Sequence, residues 1–492
     1  MKHSFNKKIL HGVISGGGLT AITTIVSIVQ LRLILEFLPK DIAGIWLLFL
    51  SVGAYITFLD LGISPTLSRE ISFLLGAEDT AGRSHEQQVA NLLATSLRMF
   101  MVLACIAFFF GAILMGAFLW SQPKLEHGTT IQLAWLIFLG GASINILGGA
   151  VFSALYGLGD VATERIIRSV TLLFGLGLSY LSLYFGYGII GLAASWVIQN
   201  LIARLAAMRA LYTNHSWIKN VKGNAKRDLF IKIVGPSFKW AAMGFGAILI
   251  LQTDNIIIAA TLGPVFIPPY EAVAKMTVAL MTLSLLIVNS SIPFLSKAHA
   301  AGHKELVVEL LLKNVRLSMF TMAILVPFIA LFGSEVVDIW LGPGNFVGNY
   351  VLWTMLTMAF LEVHHVALAS ATMATGRLAF MWMALGAGVL NIMLSLFLVR
   401  HFGLWGVALG TMFAQILTNN WYAPYITLKH FGVPFKMYLS GVVTPFFLLF
   451  LLCLIINVCF KAIFDQNGVA FLLALLTSSL IAGGLIAVMH RD

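Results

Sequence analysis

Fourteen stretches of roughly twenty mostly apolar residues follow one another along the chain. They lie near 10–37, 43–66, 90–120, 130–156, 166–185, 188–210, 231–260, 270–295, 315–333, 350–374, 378–399, 404–428, 437–460 and 468–489. About 20 apolar residues in helical form cross the hydrocarbon of a bilayer. A backbone in that layer must satisfy its own polar groups, so each stretch is expected to be a helix. Composition agrees, with 59% of the 492 residues apolar and 10% charged, against roughly 45–50% and about 25% in soluble domains. Too little polar surface remains to coat such a chain in water. Soluble enzymes, disordered chains and disulfide scaffolds are excluded. The cysteines, Cys105, Cys453 and Cys459, lie inside apolar runs and read as small packing residues.

The basic residues set the expected orientation. With the N-terminus in the cytoplasm, 20 of the 30 fall in inner segments and four, Lys40, Lys124, Arg400 and Lys461, in outer ones. This is the asymmetry that membrane insertion imposes. The basic N-terminus is followed by no small-residue cleavage site, so it reads as an uncleaved first span, and both termini are expected in the cytoplasm. The net charge of +10 then reflects topology, with no nucleic-acid partner implied. The loops are short and leave no room for a catalytic domain; no enzyme activity, metal or cofactor is expected.

Two halves of the chain echo one another. Pro65-Thr66-Leu67-Ser68-Arg69 ends span two and Pro293-Phe294-Leu295-Ser296-Lys297 ends span eight, an offset of 228. Gly157-Leu158-Gly159-Asp160 and Ala374-Thr375-Gly376-Arg377 close spans four and ten, an offset of 217. Gly188-Ile189-Ile190-Gly191 and Gly403-Leu404-Trp405-Gly406 open spans six and twelve, an offset of 215. Six spans per repeat is an even number, so both halves insert the same way up. The expected fold is an all-α polytopic membrane protein of about fourteen transmembrane helices. It has two parallel six-helix lobes around a central cavity, plus two extra C-terminal helices. The expected boundaries are 1–212 for the first lobe, 213–230 for a basic cytoplasmic linker, 231–430 for the second lobe and 431–492 for spans thirteen and fourteen.

Phe58-Leu59-Asp60-Leu61-Gly62-Ile63 leading to Arg69, Thr253-Asp254-Asn255-Ile256-Ile257-Ile258, and Ile292-Pro293-Phe294-Leu295-Ser296 resemble Wzx-type polysaccharide flippases. That branch shares a superfamily with MATE-type multidrug extruders and the lipid II flippase MurJ. The resemblance implies a bacterial inner-membrane protein that moves an undecaprenyl-diphosphate-linked oligosaccharide, such as an O-antigen unit, from the cytoplasmic to the periplasmic leaflet. It further implies membrane lipid, a coupling ion (H+ or Na+), and a polymerase and chain-length regulator as partners. One departure is Gly44-Ile45-Trp46, where relatives often have Gly-x-Tyr. The rival readings are a multidrug extruder, which should show an acidic cavity, and a membrane-embedded polymerase or glycosyltransferase, which needs external carboxylates.

Ionisable side chains inside spans normally face a cavity or a partner. Arg204 and Arg316 lie near the ends of their spans and are expected to snorkel. Arg32, Lys275, Lys239 and Arg98 are the candidates for a cationic cavity, since guanidinium and ammonium groups are natural partners of a diphosphate. Asp60, Asp254, Glu362 and His365 are the candidates for ion coupling or gating. Asp254 has a second reading, an ion pair with Lys275 or Arg32. Glu362 and His365 share a helix face and read either as a proton carrier or as a buried hydrogen-bonded pair; His364 points elsewhere. Asn255 and Asn391 read either as sugar contacts or as interhelical hydrogen bonds. Spans thirteen and fourteen are expected to line a groove for the polyprenyl tail.

Overall fold

The computed structural model describes residues 2–76, 82–121, 128–377, 379–464, 471–474, 476–478 and 481. In chain order the helices are α1 (Lys2–Phe37), α2 (Lys40–Thr57), α3 (Ile63–Gly76), α4 (Gly82–Ser121), α5 (Gly128–Leu147), α6 (Gly149–Gly157), α7 (Val161–Tyr184), α8 (Gly188–Asn214) and α9 (Arg227–Leu251). They continue with α10 (Thr253–Thr261), α11 (Ile267–Ala300), α12 (Lys304–Leu341), α13 (Asn349–Ala374), α14 (Met381–Phe402), α15 (Leu404–Leu417), α16 (Asn419–Phe431), α17 (Phe435–Tyr438) and α18 (Thr444–Phe464). Among the described residues there is no strand, and twelve stretches are long and apolar enough to cross a bilayer. The protein is a multi-pass membrane protein. The fourteenth expected span lies largely outside the described residues.

Four expected spans are interrupted. Span two breaks over Phe58–Gly62, span four at Gly148, span seven at Gln252 and span twelve at Thr418. Span twelve, divided into helices of 14 and 13 residues, is not among the twelve long stretches.

The helices form two compact units, Met1–Ala259 with Gly263–Val265, and Ala260–Leu262 with Phe266–Asp492. The first of these compact units includes the expected seventh span, α9 and most of α10. Polar contacts explain why. Lys232 pairs with Glu70 at 2.8 Å and Ser237 bonds Thr66 at 3.0 Å, tying α9 to α3. Tyr55 meets Thr253 at 2.5 Å and Asn255 donates to Ser51 at 2.9 Å, tying α10 to α2.

Lipid tails are as apolar as leucine, so membrane helices associate through close packing and hydrogen bonds. In the first unit Trp46, Phe49, Trp135 and Phe138 form a buried aromatic core, with Trp135 stacked on Phe138 at 5.5 Å. Gly44 is needed beside it, because a Cβ there would lie 1.8 Å from the Pro264 carbonyl oxygen. In the second unit Ala369 and Ala423 cluster with the buried Phe380, and Thr372 and Thr427 pair their hydroxyls at 2.8 Å.

The internal duplication extends to backbone and side-chain detail. Gly159 and Gly376 have φ of +90° and +84°, and Gly188 and Gly403 have φ of +55° and +57°. Glycine is favoured at all four, because side chains rarely tolerate positive φ. Ser68 donates to the Ser153 carbonyl at 3.1 Å, and Ser296 donates to the Ala374 carbonyl at 3.0 Å. Each serine thus clasps the corresponding neighbour, span four or span ten.

Candidate functional site

In the first unit the breaks in spans two and four face one polar cavity. At Gly148 a Cβ would lie 2.3 Å from Cγ of Arg204, so glycine leaves space for the arginine from α8. Arg204 Nη1 donates to Asn200 Oδ1 at 2.9 Å, and Nη2 donates to the Asn145 backbone carbonyl at 3.2 Å and to its side-chain oxygen. The guanidinium carbon of Arg204 lies 5.2 Å from the centre of the Phe152 ring, and that of Arg168 lies 4.2 Å from it. Aromatic faces attract such cations, which lets two like charges stand close together. Arg168 is oriented by Glu164, one turn earlier on α7; this carboxylate also lies 3.4 Å from Arg165.

Asp60 closes the opposite wall. Its Oδ1 accepts the Ser64 N–H at 3.0 Å at the start of α3, where helix N-termini favour negative charge. The following turn is left-handed at both Leu61 (φ +50°) and Gly62 (φ +73°), a conformation costly for leucine. Thr57, Asp60, Ser64, Asn145, Arg168 and Arg204 line a cavity of about 240 Å³. The charged groups among the described lining residues are Arg168, Arg204 and Asp60, so two guanidiniums share the space with one carboxylate. Arg204 Nε is buried with no hydrogen-bond partner. Cationic groups thus outnumber anionic ones among the described lining residues, as suits an anionic group.

Sequence reasoning identified Asp60 but not these arginines. Both reach Phe152. Glu164–Arg168 and Asn200–Arg204, each four apart, together with the Gly148-Gly149 pair, were the available signals.

In the second unit the break in span twelve gathers a different set. The chain at Thr418 has φ −123° and ψ −79°, and Pro424 cannot donate to the Asn420 carbonyl. His365 Nδ1 donates to the Asn419 carbonyl at 3.1 Å. Asn420 is 9% exposed, and neither atom of its amide has a partner among the described residues. Glu362, on the same face of α13 as His365, has a buried carboxylate oxygen without a partner. His364 instead meets the Tyr438 hydroxyl. Unwound backbone beside unsatisfied polar groups is how broken membrane helices hold small cations.

The remaining expected residues are dispersed. Arg32 is exposed on α1. Lys275 belongs to the other unit and pairs with Glu271 at 3.5 Å, one turn earlier on α11. Lys239 lies on α9, with its side chain outside the described residues. Arg98 lines a separate apolar cavity with Lys226 and Arg227. Asp254 sits in the first turn of α10, between the two residues that dock that helix on α2. Asn391 is an interhelical tie, accepting from Ser395 at 3.0 Å and Thr411 at 2.9 Å. Arg316 Nε donates to the Gly441 carbonyl at 2.7 Å in a π-helical turn before α18.

No protein-family model matches the chain. It is similar to an uncharacterized membrane protein, EpsK of Bacillus subtilis, at 22% identity over 214 residues; the match spans 42% of this chain and 42% of that relative. Among solved structures it is similar to the lipid II flippase MurJ in an inward closed conformation, with a TM-score of 0.71 and 13% identity, covering 96% of this chain and 98% of that one. It is also similar to an inward-facing multidrug resistance MATE family transporter of the MOP superfamily, with a TM-score of 0.64 and 16% identity over 84% of this chain and 94% of the other. A MOP superfamily transporter from Pyrococcus furiosus, described as having a binding pocket of reverse polarity, gives a TM-score of 0.58 at 15% identity, covering 86% and 95%. At such identities the likeness establishes architecture alone. The chain has the fold of the MOP superfamily transporters.

Proposed function

We propose that the protein is a flippase for a lipid-linked anionic oligosaccharide. The undecaprenyl-diphosphate type moves from the cytoplasmic to the periplasmic leaflet of the bacterial inner membrane. The observation that carries this reading is the Arg168–Arg204 pair facing a polar cavity inside a membrane-spanning unit. Guanidinium forks match phosphate oxygens in pairs. A ring that holds two such forks side by side suits a diphosphate better than an organic cation. The fold likeness to a lipid II flippase supports the same class of substrate, and the surplus of cations argues against a drug extruder.

Transport is coupled, on this reading, to an ion bound in the second unit at Glu362 and His365, with Asp60 gating the first. A ligand shifts a carrier between conformations only through differential affinity for them.

The test is flipping of a fluorescent polyprenyl-diphosphate oligosaccharide in proteoliposomes. Wild-type protein should accelerate it. Arg168→Gln with Arg204→Gln should slow it at least about 10-fold, the loss of one or more charge-assisted hydrogen bonds at about 1.5–3 kcal/mol each. Transport of a cationic dye without any flipping of the lipid would overturn the proposal.

A further inference from the structure

Between α8 and α9 the chain crosses residues 222–226 without regular structure, yet it is fixed along its length. Gln87 Nε2 donates to the Lys222 carbonyl at 2.9 Å, the Asn224 N–H donates to Asn91 Oδ1 at 2.7 Å, and the Lys226 N–H donates to Thr95 Oγ1 at 3.1 Å. Gln87, Asn91 and Thr95 are four residues apart in turn, so they form one row on α4. Gly223 fits against that row because a Cβ there would lie 2.0 Å from the Ala90 carbonyl oxygen. The expected linker is thus a strap, laid along α4 and ending where α9 begins.

The strap brings Lys226 and Arg227 beside Arg98, which follows Thr95 by three residues. These three cations line a cavity of about 570 Å³ whose other walls are mostly apolar, among them Leu61, Val102 and Phe230; no carboxylate is among the described lining residues. At Val102 the cavity meets a second groove along α4, made of exposed Met101, Cys105, Ile106 and Phe109. From Arg98 to Phe109 the helix rises about 16 Å, and one leaflet of hydrocarbon is about 15 Å deep. A fixed cationic head and an apolar trough one leaflet long complement a single amphiphile.

We propose that this groove binds one anionic phospholipid of the surrounding bilayer. Its phosphate rests against Arg98, Lys226 and Arg227, and an acyl chain lies along α4 from Val102 to Phe109. The site is independent of the transported substrate.

Cys105 supplies the probe. Full-length protein carrying Cys453→Ala and Cys459→Ala is labelled at Cys105 with a fluorophore. It is then placed in phosphatidylcholine bilayers containing phosphatidylglycerol with brominated chains, or in the converse mixture. Wild-type sequence at the cations should prefer phosphatidylglycerol at least about five-fold, the effect of one fixed cation at a membrane surface. Arg98→Gln alone should weaken the preference, and adding Lys226→Gln and Arg227→Gln should bring it to unity. Equal quenching by both lipids in the parent, or a preference that survives all three substitutions, would overturn the proposal. Displacement of phosphatidylglycerol by equimolar undecaprenyl diphosphate would overturn it as well, making the groove a substrate site.

Discussion

In the first unit the ionisable side chains converge. Arg168 and Arg204 share Phe152, Glu164 orients one of them, and Asp60 closes the cavity. In the second unit several charged groups are instead paired one by one. Lys275 has Glu271, Arg316 has the Gly441 carbonyl, and Lys461 has Glu335 at 3.1 Å and the ring of Phe332 at 5.1 Å. Among the described residues there, a carboxylate oxygen of Glu362 and the amide of Asn420, beside the broken helix, are buried without partners. The two units nevertheless share the positive-φ glycines and the serine clasps. The scaffold is repeated while the side-chain chemistry has diverged.

The sharpest way to break this contrast is steric. Gly148→Ala puts a methyl against the stem of Arg204, and overpacking of this kind costs about 1–3 kcal/mol. The variant should lose thermal stability in detergent and most of its flipping activity. Gly140→Ala, with nothing within 4 Å of the added carbon, should change neither. Equal behaviour of the two variants would mean that the Arg204 site is not held by this packing.

The second unit offers a smaller but more specific effect. His365→Ala leaves the Asn419 carbonyl without its donor, at a cost of about 1–3 kcal/mol. If the unit binds the coupling ion, the surviving protein should flip substrate at a rate that no longer responds to an imposed pH gradient. It should still bind the lipid-linked substrate. A normal gradient response in the folded fraction would reduce Glu362 and His365 to a buried polar pair.

The smallest effect tests the shared scaffold. Interhelical hydrogen bonds in membranes average about 0.6 kcal/mol. Ser68→Ala and Ser296→Ala should therefore each lower stability by about that amount, and by similar amounts, in unfolding measurements in bicelles. A large loss from only one of them would show that the two clasps are not equivalent.

The sequence by itself determined the membrane class, the helical content and the repeat. Each rests on sums over many residues or on short patterns that local geometry preserves. Window hydropathy integrates some twenty side chains, so single errors cancel. Glycines 159, 188, 376 and 403 were recognisable because positive φ excludes most other residues. Asp60 and the Glu362–His365 pair stood out for a similar reason, since an ionisable group is costly in apolar surroundings wherever it lies.

Only the tertiary structure decided where the spans break and which charges meet. A break in a membrane helix frees backbone groups that must find partners on other helices. Whether Thr418 interrupts span twelve therefore depends in part on His365, some fifty residues earlier. The surroundings of Arg204 show the same limit. The glycine at 148 and the ring of Phe152 that meet it lie far from it in sequence. The expected seventh span belongs to the first compact unit. Glu70, Thr66, Tyr55 and Ser51 hold it there, and hydrogen-bond partners this distant in sequence leave no mark on local hydropathy.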